Sequence, residues 1–372
     1  MRVQIVDPAA YTPPYDHALS GALARAGAEV ELITARFPYG PVPQEQGYAT
    51  REHFYRRGSR AGIGPRRRRL VRAAEHVPDM WRYRWVAQRA DLVHFQWLPI
   101  PALDRHLLPP KRPRVYTMHW RLPARDSSIG RSLTKLLGEM DAVVVHSAHG
   151  AGRLQADFGV PPERLRVIPH GAFDYLTRQE DEVPLPAELR EVEGPVILAF
   201  GLIRPYKGTD VLLRAFERVE GAELWIVGMP RMPMDELREL ADRAPGRVRF
   251  VDRFIPDPEI PAFMRRADAV ILPYRNIEQS GVLYTALAFG RPLVLSAVGG
   301  FSEIGQRGAA RLVPPEDPDA LAEAIKELIA DPDTAAMFAA GAEREATEIS
   351  SWERIAEWTV TLYRDLLADN PR

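Results

Sequence analysis

Short runs of apolar and β-branched residues alternate along the chain with segments whose apolar positions repeat every three or four residues. The runs predict buried strands and the segments between them predict helices. The predicted strands of the first half are residues 3–6, 30–34, 92–95, 115–118, 142–146 and 165–168. Those of the second half are residues 196–200, 222–227, 248–250, 269–272, 292–296 and 310–312. This alternation indicates parallel sheets in an α/β fold.

The alternation is interrupted once, between residues 172 and 194, where the chain is acidic, contains prolines and has no periodicity. We interpret residues 174–193 as an interdomain linker. The chain then forms two doubly wound domains, residues 1–173 and 174–352, followed by a last helix at about 353–372. In such folds a ligand binds at the carboxyl ends of the parallel strands.

Composition excludes several classes of protein. The net charge of −1 over 372 residues gives no field that favours nucleic acid, and we expect no nucleic-acid partner. The absence of cysteine excludes disulfide scaffolds and thiolate sites. The chain lacks a signal-peptide pattern and any apolar run of the roughly 20 residues that span a bilayer. We therefore expect a cytoplasmic protein.

A basic turn follows the predicted strand 196–200. Gly201 ends the apolar run, Arg204 and Lys207 lie in the turn, and a helical pattern begins at Asp210. The lysine is notable because only four of the 49 basic residues are lysines. A strand, a glycine turn and a helix start predict an anion site. A solvated basic loop is the alternative for this turn taken alone.

A second polar loop, residues 273–281, precedes an apolar helical pattern, with Ser280 placed as its N-cap. The amide N–H groups of Ser280, Gly281 and Val282 then lie at a helix amino end, which favours a diphosphate together with Lys207. The glycine pair at 299–300 permits a close backbone approach. No Gly-x-Gly-x-x-Gly follows the first strand and no P-loop occurs, so dehydrogenase and P-loop chemistry are excluded.

The segments 201–208, 280–294 and 298–303 together resemble family 4 of the retaining glycosyltransferases. The segments 167–171 and 351–356 add to the resemblance, which is strong over about 140–360 and weak over 1–110. It implies the GT-B fold, in which two Rossmann-like domains face each other across a cleft and the C-terminal helix crosses back to the first domain. It also implies a nucleotide-diphosphate-sugar donor, such as a UDP-sugar or GDP-sugar. The acceptor would be a glycan, a lipid-linked molecule or a small molecule, as in polysaccharide, glycolipid or natural-product glycosylation.

The resemblance and the charges together assign the site residues. The catalytic group is Arg204, Lys207, His119 and Glu278. The donor-binding group is Gly201, Gln279, Ser280, Gly281, Val282, Thr285 and Arg253. Tyr15 and His17 lie on the acceptor side, in the N-terminal domain.

Two positions depart from the family pattern. The family carries two glutamates seven residues apart, whereas here Glu278 lies one residue off the first position and Thr285 occupies the second. The loop is therefore a Gln-Ser-Gly variant of the donor-loop motif. A sugar-nucleotide epimerase of GT-B fold and an inactive donor-binding protein remain as alternatives.

We expect neither a cofactor nor a metal. Asp-Pro-Asp occurs at 317–319 and 331–333, but each triplet precedes an alanine-rich helical pattern. An aspartate cap followed by proline in the first turn explains both triplets.

The stretch from Arg56 to Arg69 is rich in arginine, and aromatic residues lie before and after it. Such a stretch suits an anionic membrane surface. Docking there would place the protein at the inner face of the membrane, beside a lipid-linked acceptor. A solvated arginine-rich loop is the alternative.

Overall fold

The computed structural model describes residues 1–369, except for 39, 41, 43–45, 61, 63, 111–112, 120–121 and 193. The chain divides into two compact units, Met1–Gly171 with Ser351–Arg372, and Ala172–Ser350. Both boundaries lie within two residues of the domain limits drawn from the sequence.

The first unit contains a seven-stranded, wholly parallel sheet in the order β3-β2-β1-β4-β5-β6-β7. Its strands are β1 Arg2–Asp7, β2 Glu29–Ala35, β3 Ala49–Phe54, β4 Leu92–Phe95, β5 Arg114–Thr117, β6 Ala142–Val145 and β7 Leu165–Val167. Val6 of β1 is paired with Ile33 on one side and with Phe95 on the other. All six predicted strands are confirmed. The strand order reverses between β1 and β4, so a crevice forms at their carboxyl ends.

The helices described before the second unit are α1 Pro13–Arg25, α2 Pro65–Val86, α3 Pro101–Asp104, α4 Ser128–Leu137 and α5 Ala148–Phe158. Single 3₁₀ turns are formed by Ala87–Arg89 and Pro162–Arg164. Proline occupies the first turn of α1, α2 and α3, where its missing N–H costs nothing. Ser127 and Ser147 cap α4 and α5 by accepting from the third amide N–H.

The second unit contains a six-stranded parallel sheet in the order β10-β9-β8-β11-β12-β13. Its strands are β8 Val196–Phe200, β9 Glu223–Val227, β10 Val248–Val251, β11 Ala269–Leu272, β12 Leu293–Ser296 and β13 Arg311–Val313. Its helices are α6 Ala187–Arg190, α7 Thr209–Phe216, α8 Asp235–Ala241, α9 Ile260–Arg266, α10 Gly281–Ala288, α11 Phe301–Gln306, α12 Pro318–Ala330 and α13 Pro332–Arg344. Short turns are formed by Asp174–Arg178, Pro205–Lys207, Asp257–Glu259 and the π-helical Glu345–Ile349. All six predicted strands of this half are confirmed.

Successive residues of the central strands face opposite sides of this sheet and build two cores. Leu198 and Val270 belong to one apolar cluster, whereas Ile197 and Ile271 belong to the other. Both faces are therefore covered by helices, which is why these strands are continuous apolar runs.

The last helix, α14 Trp352–Asp369, packs on α1 of the first unit. A side chain at Gly171 would place its Cβ 2.3 Å from the Trp352 ring, so the ring lies directly on the backbone. The Tyr363 hydroxyl of α14 forms a 2.5 Å hydrogen bond with Nδ1 of His94 in β4. The prediction that the C-terminal helix returns to the first domain is confirmed.

The interpretation of residues 174–193 as a linker is wrong. Leu176 and Leu189 are buried in the second unit, and the Tyr175 hydroxyl donates to Asp257 Oδ2 at 2.7 Å. The described part of the segment is thus packed on the second domain. Its apolar residues are too widely spaced to show helical or strand periodicity, so the sequence pattern hid this packing.

The aspartate caps are confirmed. Asp317 Oδ1 accepts from the amides of Asp319 and Ala320, at 3.1 and 2.9 Å. Asp331 caps α13 in the same way. No helix among the described residues has both the length and the apolar character needed to cross a bilayer.

Candidate functional site

A small cavity lies at the carboxyl ends of β8 and β11 in the second unit. Its lining includes Phe200, Gly201, Ile203, Lys207, Pro273 and Tyr274. The strand order reverses between β8 and β11, which is where doubly wound folds bind ligands. The cavity therefore occupies the position that the fold favours for a ligand.

Lys207 carries the positive charge of this cavity. Its Nζ lies 5.1 Å from the centroid of the Tyr274 ring, a cation–π distance. Gly201 has a φ of 92°, a backbone conformation that strains other residues, and a Cβ there would lie 3.0 Å from that Nζ. Burial lowers the pKa of Lys207 to about 8, and the charge of Arg204 acts in the same direction. Within the described part of the chain no carboxylate forms an ion pair with Lys207.

The turn that carries Lys207 is fixed to the loop after β11. Gly208 has a φ of 66°, and a Cβ there would lie 2.0 Å from the carbonyl oxygen of Pro273. Two backbone carbonyls of the turn accept from Arg275: that of Tyr206 from its amide at 2.8 Å, and that of Pro205 from its Nη1 at 2.6 Å. The turn is thus held by backbone contact as well as by hydrogen bonds.

Asp210 completes this attachment. Its carboxylate accepts from both terminal nitrogens of Arg275, at 2.9 and 2.7 Å, and Glu316 pairs with the same guanidinium. We refer to Arg275 and Asp210 as the arginine clamp. Sequence reasoning missed this pairing, because it joins the first turn of α7 to a loop 65 residues further along the chain.

The donor loop before α10 agrees only in part with the sequence interpretation. Ser280 occupies the N-cap position, but its hydroxyl forms no cap bond and lies 3.3 Å from the Tyr274 hydroxyl. The Thr285 hydroxyl donates to the Gly281 carbonyl at 3.0 Å. Gln279 Oε1 accepts from Tyr284 at 2.8 Å.

Two further features shape the same loop. Glu278, which the sequence assigned to the catalytic group, is buried. Gly299 has a φ of 49°, and a Cβ there would lie 1.8 Å from the carbonyl oxygen of Ile277. Gly299 therefore packs directly against the backbone of the loop before α10. Val282 approaches Gly201, within 2.8 Å of where a Cβ would lie.

Arg253 lies apart from this group. It follows β10, the edge strand, two strands away from β8. Its guanidinium donates to Glu259 Oε1 at 3.0 Å, and this bond raises the pKa of Arg253. This bond ties Arg253 to the turn Asp257–Glu259, which precedes α9.

The two predicted acceptor-side residues are buried in the first unit. Tyr15 packs against the rings of His119 and His170, at 4.8 Å each, and of Trp352 at 5.2 Å. His17 Nδ1 forms a 2.6 Å hydrogen bond with the Tyr48 hydroxyl. Both side chains pack α1 against the rest of the first unit. Contact with an acceptor would therefore need other residues near the start of α1.

His119, which the sequence assigned to the catalytic group, belongs to a hydrogen-bonded chain. His146 Nδ1 lies 3.0 Å from the Ile168 carbonyl and must donate to it. Burial lowers the pKa of His146 to about 4 and holds that of His119 well below its usual range, which favours the neutral form of both rings. His146 Nε2 then accepts from His119 Nδ1 at 3.4 Å. His119 Nε2 in turn needs a donor, which the amide of Gln96 supplies when its nitrogen faces the ring, 3.0 Å away.

A buried carboxyl pair lies next to this chain. Asp7 accepts from three backbone amides, which stabilise its charged form. Burial and the charge of Asp7 raise the pKa of Asp16 well above its usual range. The charged form of Asp16 is therefore disfavoured. Sequence reasoning missed this pair, because nothing in the pattern marks a helix aspartate as buried.

Across the described residues, no three His, Asp or Glu side chains gather into a possible metal-binding group.

Two family models match the chain. The model described as Glycosyl transferases group 1 matches residues 194–331, and the model described as Glycosyltransferase Family 4 matches residues 15–172. A D-inositol 3-phosphate glycosyltransferase of Catenulispora acidiphila is 30% identical over 247 residues, covering 62% of this chain and 59% of that protein. The chain thus matches less than two thirds of that relative's length. The protein of the same name from Xylanimonas cellulosilytica is 27% identical, with 95% of this chain and 91% of that protein covered.

The fold has the same architecture as solved glycosyltransferases. The Anabaena HepE structure in complex with UDP and glucose superposes with a TM-score of 0.71 at 20% identity, covering 98% of this chain and all of that one. At this identity the likeness shows the fold, which is GT-B. Together, the two family models, the relatives and the fold support a glycosyltransferase of the family 4 type.

Proposed function

We propose that the protein is a retaining glycosyltransferase that transfers a sugar from a nucleotide-diphosphate sugar to a glycan, lipid-linked or small-molecule acceptor. The observation that carries the proposal is Lys207, an ammonium with no carboxylate partner among the described residues, fixed at the crevice of the second sheet. The UDP and glucose in the HepE structure support a ligand of this class.

The proposed reaction forms one bond and breaks one. The acceptor hydroxyl oxygen bonds to the anomeric carbon on the face from which the diphosphate departs, so the configuration is retained. The bond between that carbon and the phosphate oxygen breaks, and its electron pair goes to the phosphate. The hydroxyl proton passes to the same departing oxygen. Lys207, Arg204 and the amide N–H groups at the start of α10 stabilise the charge that develops there.

The other site residues keep their proposed roles with some limits. Gln279, Ser280 and Thr285 would position the donor through a loop whose side chains are already hydrogen-bonded to one another or to the helix. His119 would contact the sugar only by exchanging the Gln96 amide for a sugar hydroxyl. The relatives are transferases, so neither the epimerase nor the inactive protein is favoured.

Nucleoside diphosphates test the donor site directly. We expect one of UDP, GDP, ADP and TDP to raise the melting temperature, since a ligand at 100 times its Kd stabilises by about 2.7 kcal/mol. Lys207→Ala should abolish this shift, whereas Lys326→Ala should retain it, because Lys326 is an exposed lysine paired with Glu323. A normal shift in Lys207→Ala, or none in the wild type, would contradict the proposal.

We also propose that transfer needs no metal, because the protein's own cations would neutralise the diphosphate. Chelation with EDTA should then change the rate by less than about twofold, a difference of only about 0.4 kcal/mol in barrier. Loss of activity that magnesium or manganese restores would reject this part of the mechanism.

A membrane-borne acceptor is favoured by the outer face of α2. The sequence alternative of an arginine-rich loop is wrong for Arg66–Arg69, because the helix begins at Pro65. Four apolar side chains recur at helical spacing on the exposed face: Leu70, Val77, Trp81 and Trp85. The two tryptophans are 56% and 63% exposed, so the face is not covered by the rest of the domain.

The charge of α2 fits an anionic lipid surface. Arg66, Arg67 and Arg69 are exposed. The acidic residues of the helix are turned inward, where Glu75 accepts from the amides of Arg57 and Gly58, at 3.0 and 2.9 Å, and Asp79 accepts from that of Tyr55. A helix with tryptophans and arginines on one outer face is typical of interfacial binding. We therefore propose peripheral attachment to the inner face of the membrane.

Sedimentation with vesicles tests this attachment. The wild type should bind vesicles that contain phosphatidylglycerol, and binding should weaken as salt rises. Changing Arg66, Arg67 and Arg69 to serine should weaken it by about 100-fold at low salt, at roughly 1 kcal/mol per charge. Trp81→Ser with Trp85→Ser should also weaken it, whereas Met337→Ser, an equally exposed control on α13, should not. A wild-type protein that ignores these vesicles would refute the attachment.

A further inference from the structure

Two aromatic side chains lie at the carboxyl ends of β1 and β4, where the order of the first sheet reverses. Tyr11 is 57% exposed, and its ring meets that of Trp97 edge to face, with 5.1 Å between centroids and 79° between planes. Trp97 also stacks on His119, at 5.5 Å and 19°. We refer to Tyr11 and Trp97 as the aromatic platform. It occupies the ligand-binding position of a doubly wound domain.

Hydrogen bonds to the turn after β1 fix the position of the aromatic platform. The buried Asp7 carboxylate accepts from the amides of Ala9, Tyr11 and Thr12, at 3.0, 2.6 and 3.2 Å. The Trp97 indole donates to the Thr12 hydroxyl at 2.8 Å. A ring whose backbone is fixed in this way loses little conformational entropy when a ligand binds it.

The turn is also strained. Ala10, directly before Tyr11, has a φ of 51°, a conformation that costs an L-residue roughly 1–2 kcal/mol. Strain of this kind clusters at ligand sites. The chain then sends Tyr15 inward on α1, whereas the Tyr11 ring is exposed to solvent.

We propose that the aromatic platform binds a pyranose ring of the acceptor, an inference that rests on the proposed function. The face of an aromatic ring is electronegative, and the C–H bonds on one face of a pyranose carry small positive charges. Polar groups adjoin the platform: the Thr12 hydroxyl, the Gln96 amide and the half-buried His119. These groups can hydrogen-bond sugar hydroxyls, whereas an alkyl chain has no donor or acceptor to offer them.

Saturation-transfer NMR on the full chain tests the platform without knowledge of the natural acceptor. The probes are methyl α-D-glucopyranoside and methyl α-D-mannopyranoside. At least one should bind to the wild type with its C–H face closest to the protein. Tyr11→Ala should weaken binding by about tenfold or more, equivalent to about 1.4 kcal/mol. Tyr11→Phe should retain binding, because it keeps the ring.

Phe254→Ala provides the matched control, since Phe254 is an exposed aromatic residue of the second unit. It should bind the glycosides as the wild type does. Equal binding by Tyr11→Ala and the wild type, or no binding by the wild type, would overturn the proposal. Competition by uridine that also depends on Tyr11 would overturn it as well, because the platform would then stack a nucleobase.

The outcome is separable from that of the proposed function. The nucleotide-induced rise in melting temperature depends on Lys207 in the other unit, so Tyr11→Ala should preserve it. If the rise is absent while glycoside binding depends on Tyr11, the donor assignment fails and the platform is retained. If Tyr11→Ala preserves both, the platform fails and the donor assignment is retained.

Discussion

Arg275 donates two hydrogen bonds to the carboxylate of Asp210, at 2.9 and 2.7 Å. The same guanidinium and the Arg275 amide hold the carbonyls of Pro205 and Tyr206, directly before Lys207. The arginine clamp therefore sets the position of the lysine that we assign to the donor diphosphate. The planar guanidinium of Arg275 donates to Asp210 and to the Pro205 carbonyl at the same time, which a lysine ammonium cannot do with the same geometry.

The first prediction concerns this clamp. Arg275→Gln should lower kcat/KM for the donor by about 10- to 100-fold, because small displacements of a charge stabiliser are costly. Arg275→Lys should recover only part of the loss. Arg311→Gln is the control, since Arg311 forms an exposed ion pair with Glu327 in the same unit. If Arg275→Gln keeps donor affinity and turnover within twofold, the clamp does not position Lys207.

The second prediction is a pH dependence of donor binding. Burial lowers the pKa of Lys207 to about 8, and only the protonated amine attracts a diphosphate. Donor kcat/KM should therefore be level between pH 6.5 and 7.5 and fall as the pH rises through about 8. Lys207→Arg should remove this fall, because the guanidinium stays charged over the whole range. A wild-type profile that stays level to pH 9.5 would contradict the assignment.

The strands of both sheets were predictable because parallel strands buried on both faces are continuous apolar runs. The missed strand, Ala49–Phe54, lies at the edge of its sheet and has the polar sequence Ala-Thr-Arg-Glu-His-Phe. Because this edge strand is mostly not buried, it lacks the continuous apolar run by which the other strands were predicted. The linker error has a related cause, since the segment packs on the second core through a few widely spaced residues, among them Leu176 and Leu189.

The candidate site was predictable where backbone conformation or charge is written in the sequence. Gly201 and Gly208 have positive φ and lie against Lys207 and Pro273, as a glycine-bearing turn requires. The arginine clamp was not predictable, because tertiary contact selects one arginine among many. The exposed ring of the first turn was not predictable for a similar reason: the sequence locates the turn, but only the fold decides whether Tyr11 or Tyr15 points outward.

The third prediction concerns Gly208. Gly208→Ala should destabilise the second unit by about 2 kcal/mol or more, since alanine disfavours a φ of 66° and its Cβ would lie 2.0 Å from the Pro273 carbonyl oxygen. Gly152→Ala is the matched control, because Gly152 lies inside α5 with no atom near the added Cβ. That change should stabilise by about 0.5–1 kcal/mol. Thermal denaturation of both variants checks the difference, and similar melting temperatures would contradict the proposed contact.

The last prediction concerns acid stability. All nine histidines lie within residues 1–171, and residues 172–350 contain none. Burial lowers the pKa of His94 to about 3 and that of His146 to about 4, and it holds the pKa of His119 and of His170 well below the usual range. These four rings therefore stay neutral in the folded first unit. In the unfolded chain they accept protons below about pH 6.5.

Because the unfolded state binds more protons, the histidine contribution is fully present above about pH 6.5 and is lost as the pH falls. Below that pH, each buried ring lowers the free energy of unfolding by about 1.4 kcal/mol per pH unit. The first unit should consequently unfold at a higher pH than the second. Hydrogen exchange followed by mass spectrometry between pH 7 and 4 should show this order. For each variant, the loss of stability on acidification is compared with that variant's own stability at pH 7. On this scale His146→Gln should shift the unfolding of the first unit to lower pH, whereas the exposed His149→Gln should not. Loss of protection in the second unit first would show that the buried histidines do not govern the acid response.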